Sequence, residues 1–330
     1  MIDDDSLAGV TMVEAVRQAL TEEMARDPDV VLLGEDVGAK GGVFKASVGL
    51  AEAHGDLRVL DTPISEIAIA GVAIGAAMMG LRPVAEFQFA DYMHPAWSQI
   101  VNQAATMRWR SVGAWSVPVV FRTPSGGGVR GGIYHSQSPE AAYCHVPGLK
   151  VVAPALPSDA KGLLKAAIRD DDPVVFFEDK RCYRNFREAV SDDVVPIGRA
   201  RRDREGDDVT IVTYGFGVHL ARAATASLAR EGIGCDVIDL RTLIPWDKEI
   251  VAASVQRTGR LVIFHVANRT MGFGAEVAAF AAEELFSDLD APVVRVAAAD
   301  CHLPYNAPEE EAILPGEDDL VAAVRRSAAY

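Results

Sequence analysis

EIAIAGVAIGAAMMG, Glu66 to Gly80, is charged only at its first residue and leads into the strand-like PVAEFQF of Pro83 to Phe89. A helix without a polar stripe is apolar all round and therefore buried, so the pattern predicts a core helix here. Its uncharged run, Ile67 to Leu81, is too short to span a bilayer. Ser65 is the expected N-cap and Gly80 the expected terminator. Glu66 then falls in the first turn and is carried inward by the helix it begins, where a carboxylate needs a partner. The competing reading is a partly exposed acid resting on the helix dipole.

The alternation continues on both sides. Thr11 with Glu14 forms a capping-box pattern before a helix over Val13 to Met24, and Val30 to Leu33 follows as a short strand. Gly34 to Gly42 reads as a loop. Further strands are expected at Arg58 to Leu60, Val117 to Arg122, Lys150 to Ala153 and Pro173 to Phe177, with helices at Pro95 to Met107 and Ser158 to Ile168. This rhythm predicts an α/β fold with mostly parallel sheets covered on both faces. Asn185 to Asp208, rich in charge and poor in periodic apolar residues, reads as a linker between residues 1–184 and a smaller α/β domain over 209–330. In that second domain strands are expected at Val209 to Tyr214, Cys235 to Leu240, Arg260 to His265 and Val293 to Val296. Helices are expected at Val218 to Arg230, Asp247 to Gln256, Gly274 to Leu285 and within Asp318 to Ala328.

With 330 residues the chain has room for two cores, and 32 Lys and Arg against 47 Asp and Glu give a formal charge of -15. Such a balance argues against nucleic acid and against anionic lipid as partners. The acidic start, Met1 to Ser6, lacks a charged-then-apolar leader, and a cytoplasmic location is expected. Cys144, Cys182, Cys235 and Cys301 lie far apart without a CxxC pair, which suggests free thiols rather than a zinc site or a disulfide framework.

A second unusual stretch, Thr123 to Glu140, holds five glycines (Gly126, Gly127, Gly128, Gly131 and Gly132) followed by His135. These permit close backbone approach to a ligand or another chain, at an entropic cost that some contact must offset. Ser138 with Pro139 reads as an N-cap and first helical residue, placing His135 just before a helix. A lone loop histidine is more often solvated than catalytic. No HExxH, GxSxG or P-loop is present. Gly215 and Gly217 follow a strand and open a helix, with Asp236 and Asp239 downstream, but the third glycine of a dinucleotide fingerprint is missing.

The ordered stretches GEDVG (Gly34 to Gly38), DTPISE (Asp61 to Glu66), LRPVAEFQFADY (Leu81 to Tyr92), GGIYHSQSPEA (Gly131 to Ala141), PGLKVV (Pro147 to Val152), VIDLRTLIPWD (Val237 to Asp247) and GFGAEVA (Gly272 to Ala278) span nearly the whole chain. Together they resemble the β subunit of thiamin-diphosphate-dependent 2-oxo-acid dehydrogenases, the family of pyruvate, branched-chain 2-oxo-acid and acetoin dehydrogenases. The resemblance implies a pyrimidine-binding fold followed by a transketolase C-terminal-like domain. It also implies oxidative decarboxylation of a 2-oxo acid, with acyl transfer to lipoamide.

In that family a carboxylic acid bonded to the cofactor's pyrimidine nitrogen favours the tautomer that accepts the thiazolium proton, and the matching residue is Glu66. Gly71 and Gly75, spaced as in the family motif, would let paired helices approach across a subunit interface. Resemblance further assigns Ile64, Gln88 and Tyr92 to the pyrimidine pocket and His135 to the substrate or to acyl transfer. Val119, Ala167, Ile168, Asp170 and Asp172 match a potassium-type cation site of carbonyls plus carboxylate. The chain has no GDG-to-asparagine motif, so magnesium and diphosphate are expected on an α subunit in an α2β2 heterotetramer attached to a lipoyl-bearing dihydrolipoyl acyltransferase.

Two stretches depart from the family pattern. His265 to Gly272 reads HVANRTMG in place of HEAPRTGG, and Ala299 to Tyr305 reads ADCHLPY in place of PDVPVPF. A non-catalytic assembly subunit of the same fold, an acetoin dehydrogenase subunit and a nicotinamide-binding protein using Gly215 and Gly217 are the alternatives.

Overall fold

The computed structural model describes residues 9–330. The acidic start read as lacking a leader lies outside them. The chain divides into two compact units. One comprises the residues up to Ser125 together with Ala142–Ile197, and the other comprises Gly126–Ala141 with Gly198–Tyr330. The glycine-rich loop thus belongs to the second unit although it interrupts the first in sequence.

In the first unit, strands β1 (Val30–Gly34), β2 (Val59–Asp61), β3 (Arg82–Glu86), β4 (Val120–Ser125), β5 (Lys150–Val152) and β6 (Val174–Asp179) are parallel, in the order β5-β6-β4-β3-β1-β2. All residues of β1, β4 and β6 are buried, as parallel strands covered on both faces require. Helices α1 (Met12–Arg26), α2 (Glu66–Met78) and α3 (Pro157–Arg169) pack around them. The capping box forms: the Glu14 N–H donates to Thr11 Oγ1 at 3.4 Å and the Thr11 N–H to Glu14 Oε2 at 2.7 Å. Where α1 meets α3, Arg169 holds Glu23 with bonds of 3.0 and 2.6 Å, and Lys165 reaches Glu22 at 2.8 Å.

Three expectations for this unit are corrected. Helix α2 is not buried all round: Ile69, Ala70, Ala73, Ile74 and Ala77 face inward, whereas Ile67 is 48% and Val72 59% exposed, as is Met79 at its C-terminal end. Ser65 occupies the N-cap position but its side chain makes no capping bond. The other end closes as expected, with Gly80 at φ +102° donating to the Ala77 carbonyl and Leu81 to that of Ala76, a Schellman pattern. Finally, Pro95 to Met107 is not one α-helix. The chain forms a 3₁₀ turn (Ala90–Ala96) that contains Pro95, then a π-helical turn (Gln99–Ala104) and a short α-helical turn (Met107–Arg110).

The second unit has β7 (Arg201–Arg204), β8 (Val209–Thr213), β9 (Cys235–Asp239), β10 (Leu261–Asn268) and β11 (Val294–Ala298) in the order β11-β10-β8-β9-β7. All are parallel except β7, an antiparallel edge. The helices are α4 (Phe216–Ala229), α5 (Lys248–Thr258), α6 (Gly274–Glu284), α7 (Ala307–Ile313) and α8 (Glu317–Ala328). Val209, Ile211, Val237, Val262 and Phe264 of the sheet meet Ala221, Leu228, Leu320 and Val324 of α4 and α8 in one core. Each large side chain so buried contributes about 1.5–3 kcal/mol of transfer free energy. The stretch read as a linker supplies strand β7, because its alternating arginines reach acids on the sheet: Arg202 Nε lies 3.1 Å from Asp236 Oδ1. It also supplies Arg187–Glu188, which pair antiparallel with Val10–Thr11. No helix of the described residues is long and apolar enough to cross a membrane.

Candidate active site

Parallel strands present their carboxyl ends, and the loops after them, to one crevice. In the first unit the loops after β1, β2 and β3 leave together, because Gly34 stands in register with both Asp61 and Glu86. Two bonds join the first pair of loops: Thr62 N–H to the Gly34 carbonyl at 3.0 Å, and Gly38 N–H to Asp61 Oδ1 at 2.6 Å. A Cβ at Gly38 would lie 2.5 Å from Asp61 Oδ2, so a side chain there would displace the Asp61 carboxylate.

Glu66 begins α2 beside these loops and is half-buried. Its carboxylate has no hydrogen bond or ion pair among the described residues. Glu35, in the loop after β1, is buried, and burial together with the nearby charges of Glu66 and Asp36 raises its carboxyl above the ordinary range. Sequence reasoning missed Glu35, although its place inside GEDVG was a signal. Gln88 and Tyr92 are half-buried, and Ile64 is 82% exposed. The turn carrying Tyr92 packs on α2, and the Tyr92 ring meets Phe89 edge-on at 5.9 Å. Ile64, Glu66, Gln88 and Tyr92 therefore belong to one unit, and His135 to the other.

Beneath the crevice lies a second feature the sequence reading passed over. Arg122 on β4 is fully buried and pairs with Glu86 on β3 and with Glu178 on β6, where Nη2 to Oε2 is 2.9 Å. The Tyr183 hydroxyl also donates to Glu178, at 2.7 Å. Burial raises the Glu86 carboxyl, Arg122 opposes that, and Glu178 adds to it. Charges in the middle of otherwise apolar strands were the available sign.

In the second unit His135 is half-buried, and its Nδ1 lies 3.2 Å from the Gly131 carbonyl. The helix after it runs Glu140–Cys144, so Ser138 and Pro139 precede it and do not serve as cap and first residue. His265 on β10 is buried and stacked on Tyr214 at 5.8 Å. Neither His265 ring nitrogen completes a well-formed hydrogen bond, and burial pushes its pKa down to about 4. The two departures from the family pattern are tied to each other. Asn268 Nδ2 donates to the Ala299 carbonyl at 2.9 Å, and Thr270 donates to Asp300 from its N–H at 2.9 Å and its hydroxyl at 2.6 Å. Gly217 is a packing glycine, since a Cβ there would strike Thr213 Oγ1, and this favours an ordinary strand-to-helix turn.

The five residues matched to a cation site are already engaged. The carbonyls of Val119, Ala167 and Ile168 accept from Val174 N–H at 2.9 Å, Asp170 N–H at 3.3 Å and Arg82 Nη1 at 3.1 Å. Asp170 meets Lys150 at 2.6 Å and Asp172 meets Arg108 at 2.5 Å. No group of three or more His, Cys, Asp or Glu suited to a metal occurs among the described residues. All four cysteines are free thiols.

Residues 8–185 match the family described as the transketolase pyrimidine binding domain, and residues 198–320 the transketolase C-terminal domain. The chain is 50% identical over 324 residues to the 2-oxoisovalerate dehydrogenase subunit beta of Bacillus subtilis (strain 168), covering 97% of this chain and 99% of the relative. It is 42% identical over 322 residues to the pyruvate dehydrogenase E1 component subunit beta of the same organism, covering 97% and 99%. Among solved structures, one titled "Split gene transketolase, inactive beta4 tetramer" matches with a TM-score of 0.81 at 26% identity, covering 98% of this chain and 99% of the other.

Proposed function

The chain belongs to the β subunits of thiamin-diphosphate-dependent 2-oxo-acid dehydrogenases, and from that premise we propose that it performs, with an α subunit, the decarboxylating first step on a branched-chain 2-oxo acid. Within Bacillus subtilis the identity is 50% to the 2-oxoisovalerate relative against 42% to the pyruvate relative, which supports that substrate class, while relatives of the two classes from other organisms overlap, at 44 and 47% against 43 and 46%. The observation that carries the reading is Glu66, a carboxylate beside the crevice loops with no hydrogen bond or ion pair among the described residues, whose charge repels that of the neighbouring Glu35. That donor set suits a basic ring nitrogen that must be held and protonated.

When bound, thiamin diphosphate supplies the sink for the electron pair that carbon dioxide leaves behind. Glu66 holds a proton against the pyrimidine nitrogen. Glu35, whose raised carboxyl keeps a proton longer than an ordinary acid, stands next to it. Ile64, Gln88 and Tyr92 orient the ring and exclude water, and His135 holds the proton used during acyl transfer to lipoamide. Magnesium and the diphosphate are held by the α subunit, in an α2β2 assembly that docks on a lipoyl-bearing dihydrolipoyl acyltransferase. The partly uncovered α2 helix supports a subunit contact there. A potassium ion takes the second lone pairs of the Val119, Ala167 and Ile168 carbonyls with Asp170 and Asp172. Melting temperatures in potassium and sodium chloride at equal ionic strength test that site, and equal values remove it. Free thiols and an acidic surface suit the cytoplasm.

The decisive experiment is Glu66→Gln in the reconstituted αβ enzyme. Exchange of the cofactor's thiazolium proton, followed by NMR, is expected to slow by about 10²–10⁴, the range of general acid–base catalysis. Unchanged exchange refutes the role of Glu66. Comparison of 2-oxoisovalerate with pyruvate and acetoin in the same enzyme tests the substrate class.

A further inference from the structure

The glycine-rich loop carrying His135 is fastened by a buried acid. Glu310 on α7 is 2% exposed. Its Oε1 accepts the Gly128 N–H at 2.9 Å and its Oε2 the Arg130 N–H at 3.2 Å. Burying a carboxylate is unfavourable unless donors compensate it, and here the donors are main-chain groups of the loop rather than a cation. Other contacts of the same segment bear on the same loop. A Cβ at Gly127 would press on Leu303, Leu314 and Glu310, and Gly132, at φ +64°, lies against the Tyr305 ring. Gly126 N–H donates to the Gln137 carbonyl at 2.9 Å, which closes the loop behind His135. Five glycines give this stretch its freedom, and Glu310 with Tyr305 takes it away.

We infer that Glu310 is a positioning residue for the reaction. By pinning Gly128 and Arg130 it fixes the path into Gly131, whose carbonyl sets the His135 ring through the 3.2 Å contact at Nδ1. This rests on the reading of His135 as the histidine used in acyl transfer.

The test uses the assembled αβ enzyme with three variants: Glu310→Gln, His135→Ala and the double variant. Hydrogen exchange of residues 126–135, 2-oxo-acid decarboxylation with an artificial dye oxidant, and acyl transfer to a lipoyl domain are measured. Glu310→Gln is expected to speed exchange at Gly128 and Arg130 by about tenfold and to slow acyl transfer by about tenfold. The dye-coupled reaction should change less than about threefold, and the double variant should be no slower than His135→Ala, as members of one unit behave. Exchange left unchanged by Glu310→Gln, or a further loss of rate in the double variant, overturns the inference. If His135→Ala alone leaves acyl transfer intact, the reading of His135 fails and the inference falls with it. If Glu310→Gln does not assemble, Glu310→Asp is measured against the same criteria.

Discussion

Glu35 titrates in the field of Glu66: burial is the largest cause of its raised carboxyl pKa, and the Glu66 charge is the next. The Glu66 charge thus adds to burial in keeping the Glu35 carboxyl protonated above the ordinary range. Replacing Glu66 with Gln removes one charge and is expected to lower the Glu35 pKa. Carbon-13 NMR of labelled glutamate carboxyls checks this, and a Glu35 titration indifferent to the substitution rules the coupling out.

Gly132 cannot carry a side chain. Its φ of +64° disfavours L residues, and a Cβ would meet the Tyr305 ring. Gly132→Ala is expected to destabilise the protein by about 2–4 kcal/mol, from left-handed strain plus overpacking. Adding Tyr305→Ala should recover the overpacking share. Urea unfolding of the single and double variants measures both, and a double variant no better than Gly132→Ala counts against the contact.

Glu23 is buried at the contact of α1 with α3, and its carboxyl lies below the ordinary range because the bonds from Arg169 and Arg26 outweigh the opposing effect of burial. A depressed acid stabilises the fold above its unfolded pKa and loses that stabilisation as pH falls through the folded value. Glu23→Gln should therefore cost about 1.5–3 kcal/mol at pH 7, the worth of a hydrogen bond to a charged group. The gap to the parent protein should narrow below about pH 4.5, which unfolding curves at several pH values would reveal.

His265 acts in the opposite chemical sense with the same pH trend. Its neutral form is favoured in the fold, at a pKa of about 4, while the unfolded chain takes up the proton near the ordinary histidine value. Stability is thus retained above about pH 6.5 and declines toward pH 4, by about 3 kcal/mol over the whole interval. His265→Gln should flatten the slope between those limits whatever it does to stability at neutral pH. A slope unchanged in calorimetry would show that the ring is solvated.

Much of this architecture is legible in the sequence because the strands are short apolar runs and the helices between them have clear ends. The capping box at Thr11 and Glu14 and the Gly80 terminator both form. The misreadings have local causes. The stretch from Pro95 to Met107 winds partly as a π-helical turn, which its apolar spacing does not distinguish from an α-helix. The charges of Arg201 to Arg204 hid an edge strand, because polar residues at a sheet edge resemble a linker in composition. Motifs mark Glu66 and His135 as candidates, but none marks Glu310. It lies more than a hundred and seventy residues along the chain from the backbone it binds, and nothing in its own neighbourhood marks it.

The outward side of α2 carries a practical consequence. With Val72 and Met79 facing water, the polypeptide made alone presents a greasy ridge that will scavenge other copies or idle hydrophobic segments. Balanced synthesis with whatever covers that ridge becomes a condition of solubility, and a cell or a laboratory overproducing this chain by itself should harvest aggregates.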